Sequence, residues 1–419
     1  MKPSANLNII AICVDALRRN DLSVYGFPFD VSAHICNLAL KSTVFYQAYS
    51  PSSWTGTVVS SLFSGKPPWQ HKVFGANDIF NEKILINKRK DYFNFCLSAN
   101  PWISEQFGFN RGWNAFSYIE TNQAPVIFDK FFEQVDKNRK PFFAYLHLMD
   151  LHGPFNRYWR QYCKHFSIRE VKELFAHKQP RGKNFLKDQI ILSLGKISNK
   201  IRKKLDKFRS LTGVVFNDII NSLSCLAKFD KFFGDFLAQL KTKNLLQQTA
   251  IIIFSDHGDE RDEHGGGRKG HNHSLYQETV QVPFIVYLPY AKAVKIEQAF
   301  GSIQLYKIIE NIQNNKNLIE TLELDKTIIG QLDFSHSRLG YLLKENKKLI
   351  KDYSSNTKEL YDLAVDPGET KNLASKMSQL SREYEIALDA KISFQNHKQQ
   401  PKTQADQLIM QRLKSLGYL

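Results

Sequence analysis

Three short apolar runs, each followed at once by acidic or imidazole side chains, constrain the fold of this 419-residue chain more than any other feature. The runs span residues 8–14, 142–146 and 250–254. Continuous apolar runs of this length are typical of parallel strands that are buried on both faces. Because the carboxyl ends of parallel strands lie along one edge of a sheet, where ligands bind, the polar residues after the three runs should converge there.

Helical patterns and a fourth apolar run at 281–288 complete the predicted main domain. Apolar side chains recur at three- and four-residue steps over 216–240, and a second helical pattern begins at Leu17. This alternation predicts a doubly wound, mostly parallel α/β sheet sandwiched by helices over residues 1–314. A smaller C-terminal α+β subdomain is predicted over 315–419, from a strand at 347–353, a turn-rich loop at 360–372 and a helix at 375–391.

The chain is strongly basic, with 57 Lys and Arg, 41 Asp and Glu, and a formal net charge of +16. Most of the excess lies in residues 157–209, where sixteen Lys and Arg face four acids; we predict an inserted helical arm or lid. Such a charge favours an anionic small molecule, a glycan- or lipid-linked substrate, or an acidic membrane surface. Nucleic-acid binding is disfavoured as the main function, because charge runs usually form a solvated face and aromatics at helical spacing usually form a core.

The cysteines and the apolar runs bear on the cellular compartment. Five cysteines stand at long spacings without a C-x-x-C motif, which argues against a disulfide framework or a cysteine zinc site. The first apolar run ends at Asp15, too early for a signal-peptide core or a membrane span. We therefore expect a cytoplasmic protein, or a truncated exported one, and the oligomeric state is left open.

The residues after the first and third runs are candidate metal ligands. A buried carboxylate at Asp15 needs a partner, a hydrogen bond or a metal, and the alternative is a helix cap. Asp256 and His257 together offer the oxygen and imidazole ligands that suit Zn or Mn, and the alternative is a satisfied polar turn. The loop at 258–273 that follows them concentrates acids, histidines and cations on a glycine-rich backbone, so we predict an active-site loop.

A hydroxyl-rich segment at 50–57 precedes an apolar helix that ends at Gly65. Spacing alone favours a hydroxyl that caps this helix. The alternative is a nucleophile held at the positive end of the helix and deprotonated by a metal.

Six segments, in order, resemble the sulfatase group of the alkaline phosphatase superfamily. They include a strand followed by Asp, Arg and Tyr-Gly, a nucleophile helix closing in Gly-x-x-Pro-x-x-His, a D-x-H-x-P motif, and the blocks SDHG and ELYDL. The segments are residues 8–26, 50–71, 107–116, 141–155, 249–283 and 358–373. Single motifs are weak, but six in register over roughly residues 8–375 make the resemblance specific.

The resemblance implies one divalent ion held by Asp15, Asp256 and His257, with Thr55 as the nucleophile and a further ligand. Thr55 takes this role because it stands ten residues before Gly65. The groups implied to contact the transferred group or the leaving oxygen are His147, His152 and either His271 or His273, with Asp150, Arg268 and Lys269 as candidate substrate-binding residues.

This sequence departs from the sulfatase pattern at the nucleophile. Sulfatases have Cys or Ser there, with Pro and Arg two and four residues later, and oxidise it to formylglycine; here those positions are Thr55, Thr57 and Val59. A threonine resembles the phosphoethanolamine and phosphoglycerol transferases, and favours cleavage of a phosphate-type ester through a covalent Thr55 intermediate by a hydrolase or transferase. His257 replaces the usual Asn, which favours Zn or Mn over Ca or Mg.

The same sequence features are compatible with two other functions. One is a sulfuric-ester hydrolase that works without formylglycine. The other is a degenerate member of the family that binds nucleic acid or an anionic membrane through the basic arm.

Overall fold

The computed structural model describes residues 6–153, 199–394 and 407–415, apart from the single positions 29, 76, 87, 88 and 139. The side chains of residues 199–220, 407, 408 and 410 are likewise not described. The predicted arm at 157–209 therefore lies largely outside the described residues.

An eight-stranded sheet forms the centre of the chain, in the order β10-β2-β9-β6-β1-β5-β3-β4. Seven strands run parallel, and β9 runs antiparallel between β2 and β6. This arrangement confirms the predicted mostly parallel α/β sheet. The strands are β1 Asn8–Val14, β2 Ser42–Tyr49, β3 Phe93–Ser98, β4 Ala115–Tyr118, β5 Phe142–Leu148, β6 Thr249–Phe254, β9 Gln281–Tyr287 and β10 Val294–Gly301, with a small hairpin of β7 Glu260–Arg261 and β8 Lys269–Gly270.

The first apolar run forms the central strand β1, because all seven of its residues are buried and it pairs on both sides, with β5 and β6. Alternate side chains point to opposite faces of a strand. Ile9, Ala11 and Cys13 enter one hydrophobic core, whereas Ile10 and Ile12 enter the other. A continuous apolar run is therefore what a strand with two covered faces requires.

Helices cover both faces of the sheet. Helices α2 and α7 pack in the core that contains Cys13, and α1, α4 and α5 pack in the opposite one. The predicted helix at 216–240 is confirmed within α5. The helices of this domain are α1 Ala33–Ala39, α2 Thr55–Ser64, α3 Pro68–His71, α4 Ala124–Asp136, α5 Asn199–Thr242, α6 Gln277–Val280 and α7 Leu305–Gln313. Within the described ranges, no helix combines the length and the apolarity needed to cross a membrane.

The predicted helix after Leu17 is wrong. Only two 3-10 turns form there, Arg19–Asp21 and Ser23–Tyr25, because Arg18 and Leu22 hold extended backbone with ψ of 127° and 132°. The chain thus leaves the sheet edge in short turns, and its next α-helix is α1.

The C-terminal part contains a four-stranded antiparallel sheet in the order β11-β12-β13-β14. One face packs on helix α8, and the other face joins the main core through Leu332, Tyr341 and Ile350. The loop predicted at 360–372 in fact begins inside β14, and the proposed domain boundary at 314 stays a prediction. The elements are β11 Ile328–Phe334, β12 Ser337–Lys344, β13 Lys347–Asp352, β14 Thr357–Asp362, α8 Ser378–Asp389 and α9 Gln407–Ser415.

Candidate active site

Polar side chains from four neighbouring strands meet at the carboxyl edge of the main sheet. Asp15 follows β1, His147 lies near the end of β5, Asn100 follows β3, and Asp256 follows β6. All four side chains belong to fully buried residues. The convergence predicted from the ends of the apolar runs is therefore present in the fold.

The carboxylate of Asp15 is the hub of this cluster. Its Oδ2 accepts hydrogen bonds from Nδ2 of Asn100 at 2.7 Å and from Nε2 of His147 at 3.1 Å. Its Oδ1 is buried and has no hydrogen-bond partner among the described residues. Burial alone would raise the pKa of Asp15, but the imidazoles of His152, His147 and His257 hold that pKa well below its usual range. Asp15 is therefore a buried anion rather than a helix cap.

Asp256 and His257 provide a second carboxylate and an imidazole beside Asp15. Oδ1 of Asp256 accepts the backbone N–H of His257 at 3.0 Å, whereas Oδ2 is buried and lacks a hydrogen-bond partner among the residues described. Nδ1 of His257 lies 3.2 Å from the Gly258 carbonyl and donates to it, so Nε2 faces the carboxylates. Burial opposes ionisation, but Asp256 and Asp15 raise the pKa of His257. Two buried carboxyl groups thus lie next to one another and to the imidazole of His257.

These three residues fit a divalent metal ion. Ligand atoms of Asp15, Asp256 and His257 all lie within 4.8 Å of one another. A buried carboxylate oxygen without a hydrogen bond is costly unless a cation binds it, and both carboxylates present one here. The donor set of two carboxylates and one imidazole suits Zn or Mn.

Thr55 is the first residue of α2, and its hydroxyl points into the cluster. Oγ1 lies 3.1 Å from Nε2 of His257 and 3.5 Å from Oδ2 of Asp15, and the residue is fully buried. The N-cap position is Trp54, which makes no side-chain capping bond. The capping role favoured by spacing alone is therefore wrong for Thr55. The start of a helix also carries partial positive charge, which stabilises an anion at this hydroxyl.

The His271 ring lies beside the rings of His257 and His152. The His271 ring centroid is 4.0 Å from that of His257 and 5.1 Å from that of His152. Nδ1 of His271 donates a hydrogen bond to Oδ1 of Asp259 at 2.7 Å, which fixes the orientation of the ring. Burial and His257 lower the pKa of His271 to about 4, although Asp259 opposes the shift. The hydrogen bond from His271 in turn lowers the pKa of Asp259 to about 2, against burial.

The remaining candidate residues make their contacts elsewhere. Nε2 of His273 lies 3.2 Å from Oε2 of Glu260. Arg268 and Lys269 are exposed. Oδ1 of Asp150 accepts the backbone N–H of Ala124 at the start of α4, and burial raises the pKa of Asp150 to about 7.

The sequence patterns do not identify two residues of this site, Asn100 and Asp259. Asn100 follows β3, a strand that was missed because Asn94 interrupts its apolar run. The sequence pattern does not single out Asp259 among the acids of its loop. The rule that polar residues gather after strand ends would have found Asn100 once β3 was recognised. Arg18 also ties this loop to β1, because its guanidinium donates to the Asp259 carbonyl at 2.5 Å and to Glu263 at 2.6 Å.

Comparison with known proteins places this geometry in a family. A sequence profile of the Sulfatase family matches residues 7–333. Arylsulfatase K of Canis lupus familiaris is 23% identical over 193 residues, which cover 40% of this chain and 36% of that protein. The matched region therefore spans about a third of that relative's length.

Solved structures share the fold over almost the whole chain. One, in complex with its substrate D-glucosamine-2-N,6-O-disulfate, gives a TM-score of 0.65 at 17% identity and covers 92% of this chain and 97% of that chain. A second, the phosphonate monoester hydrolase of Agrobacterium radiobacter, gives a TM-score of 0.67 at 14% identity and covers 92% of this chain and 95% of that chain. At these identities the likeness establishes the fold.

Proposed function

This chain belongs to the sulfatase family, and we propose that it is a metal-dependent hydrolase or transferase that cleaves a phosphate-type ester through a covalent intermediate on Thr55. One observation carries the proposal. The Thr55 hydroxyl, at the start of α2, lies 3.1 Å from Nε2 of His257 and 3.5 Å from Oδ2 of Asp15. In the same cluster, Oδ1 of Asp15 and Oδ2 of Asp256 lack hydrogen bonds among the described residues.

Asp15, Asp256 and His257 are the residues that would hold the ion. A bound divalent ion supplies a Lewis acid that neutralises an ester oxygen and lowers the pKa of a hydroxyl beside it. Asn100 and His147 orient Asp15 through its Oδ2, and such supporting hydrogen bonds are needed for tight metal binding.

Side chains of the protein provide the nucleophile and the proton donor. The hydroxyl of Thr55 loses its proton to solvent and its Oγ1 attacks phosphorus in line, so the Thr55–phosphorus bond forms as the bond to the ester oxygen breaks. A bound anionic ester raises the low pKa of His271, and the protonated ring, which Asp259 orients, gives a proton to the leaving oxygen; His273 is the alternative donor. Water or an acceptor alcohol then displaces the phosphoryl group and restores the Thr55 hydroxyl.

We further propose an anionic glycan, or a glycan- or lipid-linked ester, as the substrate. The net charge of +16 favours an anionic ligand. A structure of the same fold was solved with a disulfated glucosamine as its substrate. Arg268 and Lys269, exposed on the loop that carries His271, are the cations proposed to meet the remaining charge of the substrate.

A comparison of two threonines on α2 tests the nucleophile. The Thr55→Ala variant should lose at least about 10³-fold in kcat/KM on aryl phosphate diesters, whereas Thr55→Ser should retain turnover. Thr57 is the matched control, because it is equally buried but donates to the Val73 carbonyl at 2.7 Å. Thr57→Ala should keep the wild-type kcat/KM. A folded Thr55→Ala variant with unchanged turnover would refute the assignment.

Sulfate-ester hydrolysis without formylglycine is the second candidate. The family match and the similarity to arylsulfatase K favour it. Turnover of an aryl sulfate and of an aryl phosphate diester by the same preparation separates the two candidates. Dominant sulfate cleavage that disappears in Thr55→Ala would assign sulfate as the transferred group.

A further inference from the structure

A second group of metal-ligating side chains lies directly beside the first. Ligand atoms of Cys13, His147 and Asp256 all lie within 4.8 Å of one another, and all three residues are fully buried. Cys13 lies on β1, two residues before Asp15, which follows the strand. In the sheet register Cys13 is opposite His147 of β5, and Asp256 follows β6 on the other side. The thiol of Cys13 therefore lies next to the polar cluster, on the strand between β5 and β6, which position His147 and Asp256.

In this group of Cys13, His147 and Asp256, one carboxylate oxygen of Asp256 could bind a cation. Oδ1 of Asp256 accepts from the backbone of His257, whereas the buried Oδ2 has no hydrogen-bond partner in the part of the chain that is described. That Oδ2 lies 3.5 Å from Nε2 of His257 and 4.0 Å from Nε2 of His147. Oδ2 of Asp256 therefore faces the imidazoles of both ligand clusters, as a carboxylate oxygen that bridges two ions would.

Packing alone does not account for this position. A buried free cysteine usually behaves as a small apolar residue among other apolar side chains. Cys96 of β3 is such a case, since it is fully buried in the same core and belongs to none of the ligand clusters found among the described residues. Cys13 instead faces an imidazole and a carboxylate. The absence of a C-x-x-C motif argued against a cysteine zinc site, but here the partners come from three different strands.

We propose that Cys13, His147 and Asp256 form a second cation site that shares Asp256 with the first and takes Zn²⁺. Thiolate and imidazole ligands select Zn over Ca or Mg, and three protein ligands leave a fourth position for water or substrate. Binding exchanges the thiol proton, which leaves to the buffer, for a zinc–sulfur bond. His147 binds through Nε2, and its ring proton moves to Nδ1, which lies 3.1 Å from the Tyr145 hydroxyl. Paired ions about 3.5–4 Å apart are a known arrangement in phosphate-ester chemistry. This site goes beyond the proposed function, which requires one ion.

The number of bound ions tests the proposal without any assay of activity. The full chain is stripped with a chelator, titrated with Zn²⁺, and its bound zinc is counted by elemental analysis. We expect two ions in the wild type and in the Cys96→Val control, and one in Cys13→Val. Thermal unfolding of each variant verifies that it is folded.

Cobalt gives a direct signature of the sulfur ligand. The Co²⁺-loaded wild type and Cys96→Val should show a near-ultraviolet thiolate-to-cobalt charge-transfer band, which Cys13→Val should lack. His257→Ala, altered only in the first site, should keep the band. A single zinc ion in the wild type, an unchanged count in Cys13→Val, or the absence of the band in the wild type would each overturn the second site. None of these outcomes depends on ester hydrolysis, so they are distinct from a failure of the proposed function.

Discussion

The hydroxyl oxygen of Thr55 lies 3.1 Å from Nε2 of His257, although the two residues are 202 positions apart in the chain. The contact forms because the start of α2 docks over the carboxyl ends of β1 and β6. Polar groups buried this deep cost free energy unless they are hydrogen-bonded, and this contact supplies such a bond.

His271 and His273 form a matched pair for testing the proton donor. Only the His271 ring packs against His257, whereas His273 turns to Glu260. His271→Ala should lower kcat/KM by about 10²–10⁴-fold, and His273→Ala far less. The loss at His271 should shrink for esters with strongly acidic leaving groups, which need no proton. An equal loss across all leaving groups, or a larger loss at His273, would contradict this assignment.

Asn100 should act by holding Asp15. Its Nδ2 donates to Oδ2 of Asp15 at 2.7 Å, and a carboxylate that loses such a support binds metal less tightly. Asn100→Ala should weaken the apparent zinc affinity by about 10–100-fold in a titration against a competing chelator. Asn94→Ala, at the other end of β3, is the control and should leave the affinity unchanged. Equal affinities for both variants would show that Asn100 does not support Asp15.

His71 should make the fold sensitive to acid. Its Nδ1 accepts the backbone N–H of Val73 at 3.0 Å and its Nε2 lies 2.8 Å from Oγ of Ser61, a neutral pattern. Burial, with a smaller contribution from Lys66, lowers the pKa of His71 to about 3. In the unfolded chain His71 binds a proton with a pKa near 6.5, whereas in the folded protein it stays neutral down to about pH 3. The free energy of unfolding therefore decreases as the pH falls below about 6.5.

Urea unfolding at two pH values measures this effect. Between about pH 7.5 and about pH 5 the wild type should lose about 2 kcal/mol of its free energy of unfolding relative to His71→Gln, whose amide can replace both hydrogen bonds. His336→Gln, at an exposed position, should follow the wild type. The same pH dependence in wild type and His71→Gln would rule out His71 as the cause.

A buried ion pair should fasten the C-terminal sheet to α6. Nζ of Lys348 lies 2.8 Å from Oε1 of Glu369, with both side chains fully buried, and Oε2 of Glu369 accepts the backbone N–H of Gln277 at 2.6 Å. Lys348→Met leaves a buried carboxylate without its partner and should cost about 3–5 kcal/mol in urea unfolding.

The double variant and an exposed pair serve as controls for that prediction. Lys348→Met combined with Glu369→Gln should recover most of the loss, since no unpaired charge is left. Lys130→Met removes an ion pair with Glu133 whose side chains are 49% and 47% exposed, and it should cost at most about 1 kcal/mol. A similar small loss at Lys348 would show that the buried pair contributes no more than the exposed one.

The central strands and the convergence of Asp15, Asp256 and His257 could be predicted from the sequence, because a run such as that of β1 is apolar on both faces and is followed by a residue like Asp15. Asn94 hides β3 from that reasoning, and Asn100 was missed with it. The direction of the Thr55 hydroxyl could not be predicted either. A hydroxyl at a helix start can cap the helix or face a site, and only the docking of α2 decides between them.

The capture of a covalent intermediate tests the central claim most directly. Wild-type protein turning over a slow aryl phosphate diester is quenched in acid, digested, and its peptides are mapped by mass spectrometry. The account predicts a phosphoryl adduct on Thr55 that is absent from Thr55→Ala. Steady turnover with no adduct on any Thr55 peptide, together with activity in Thr55→Ala, would contradict it.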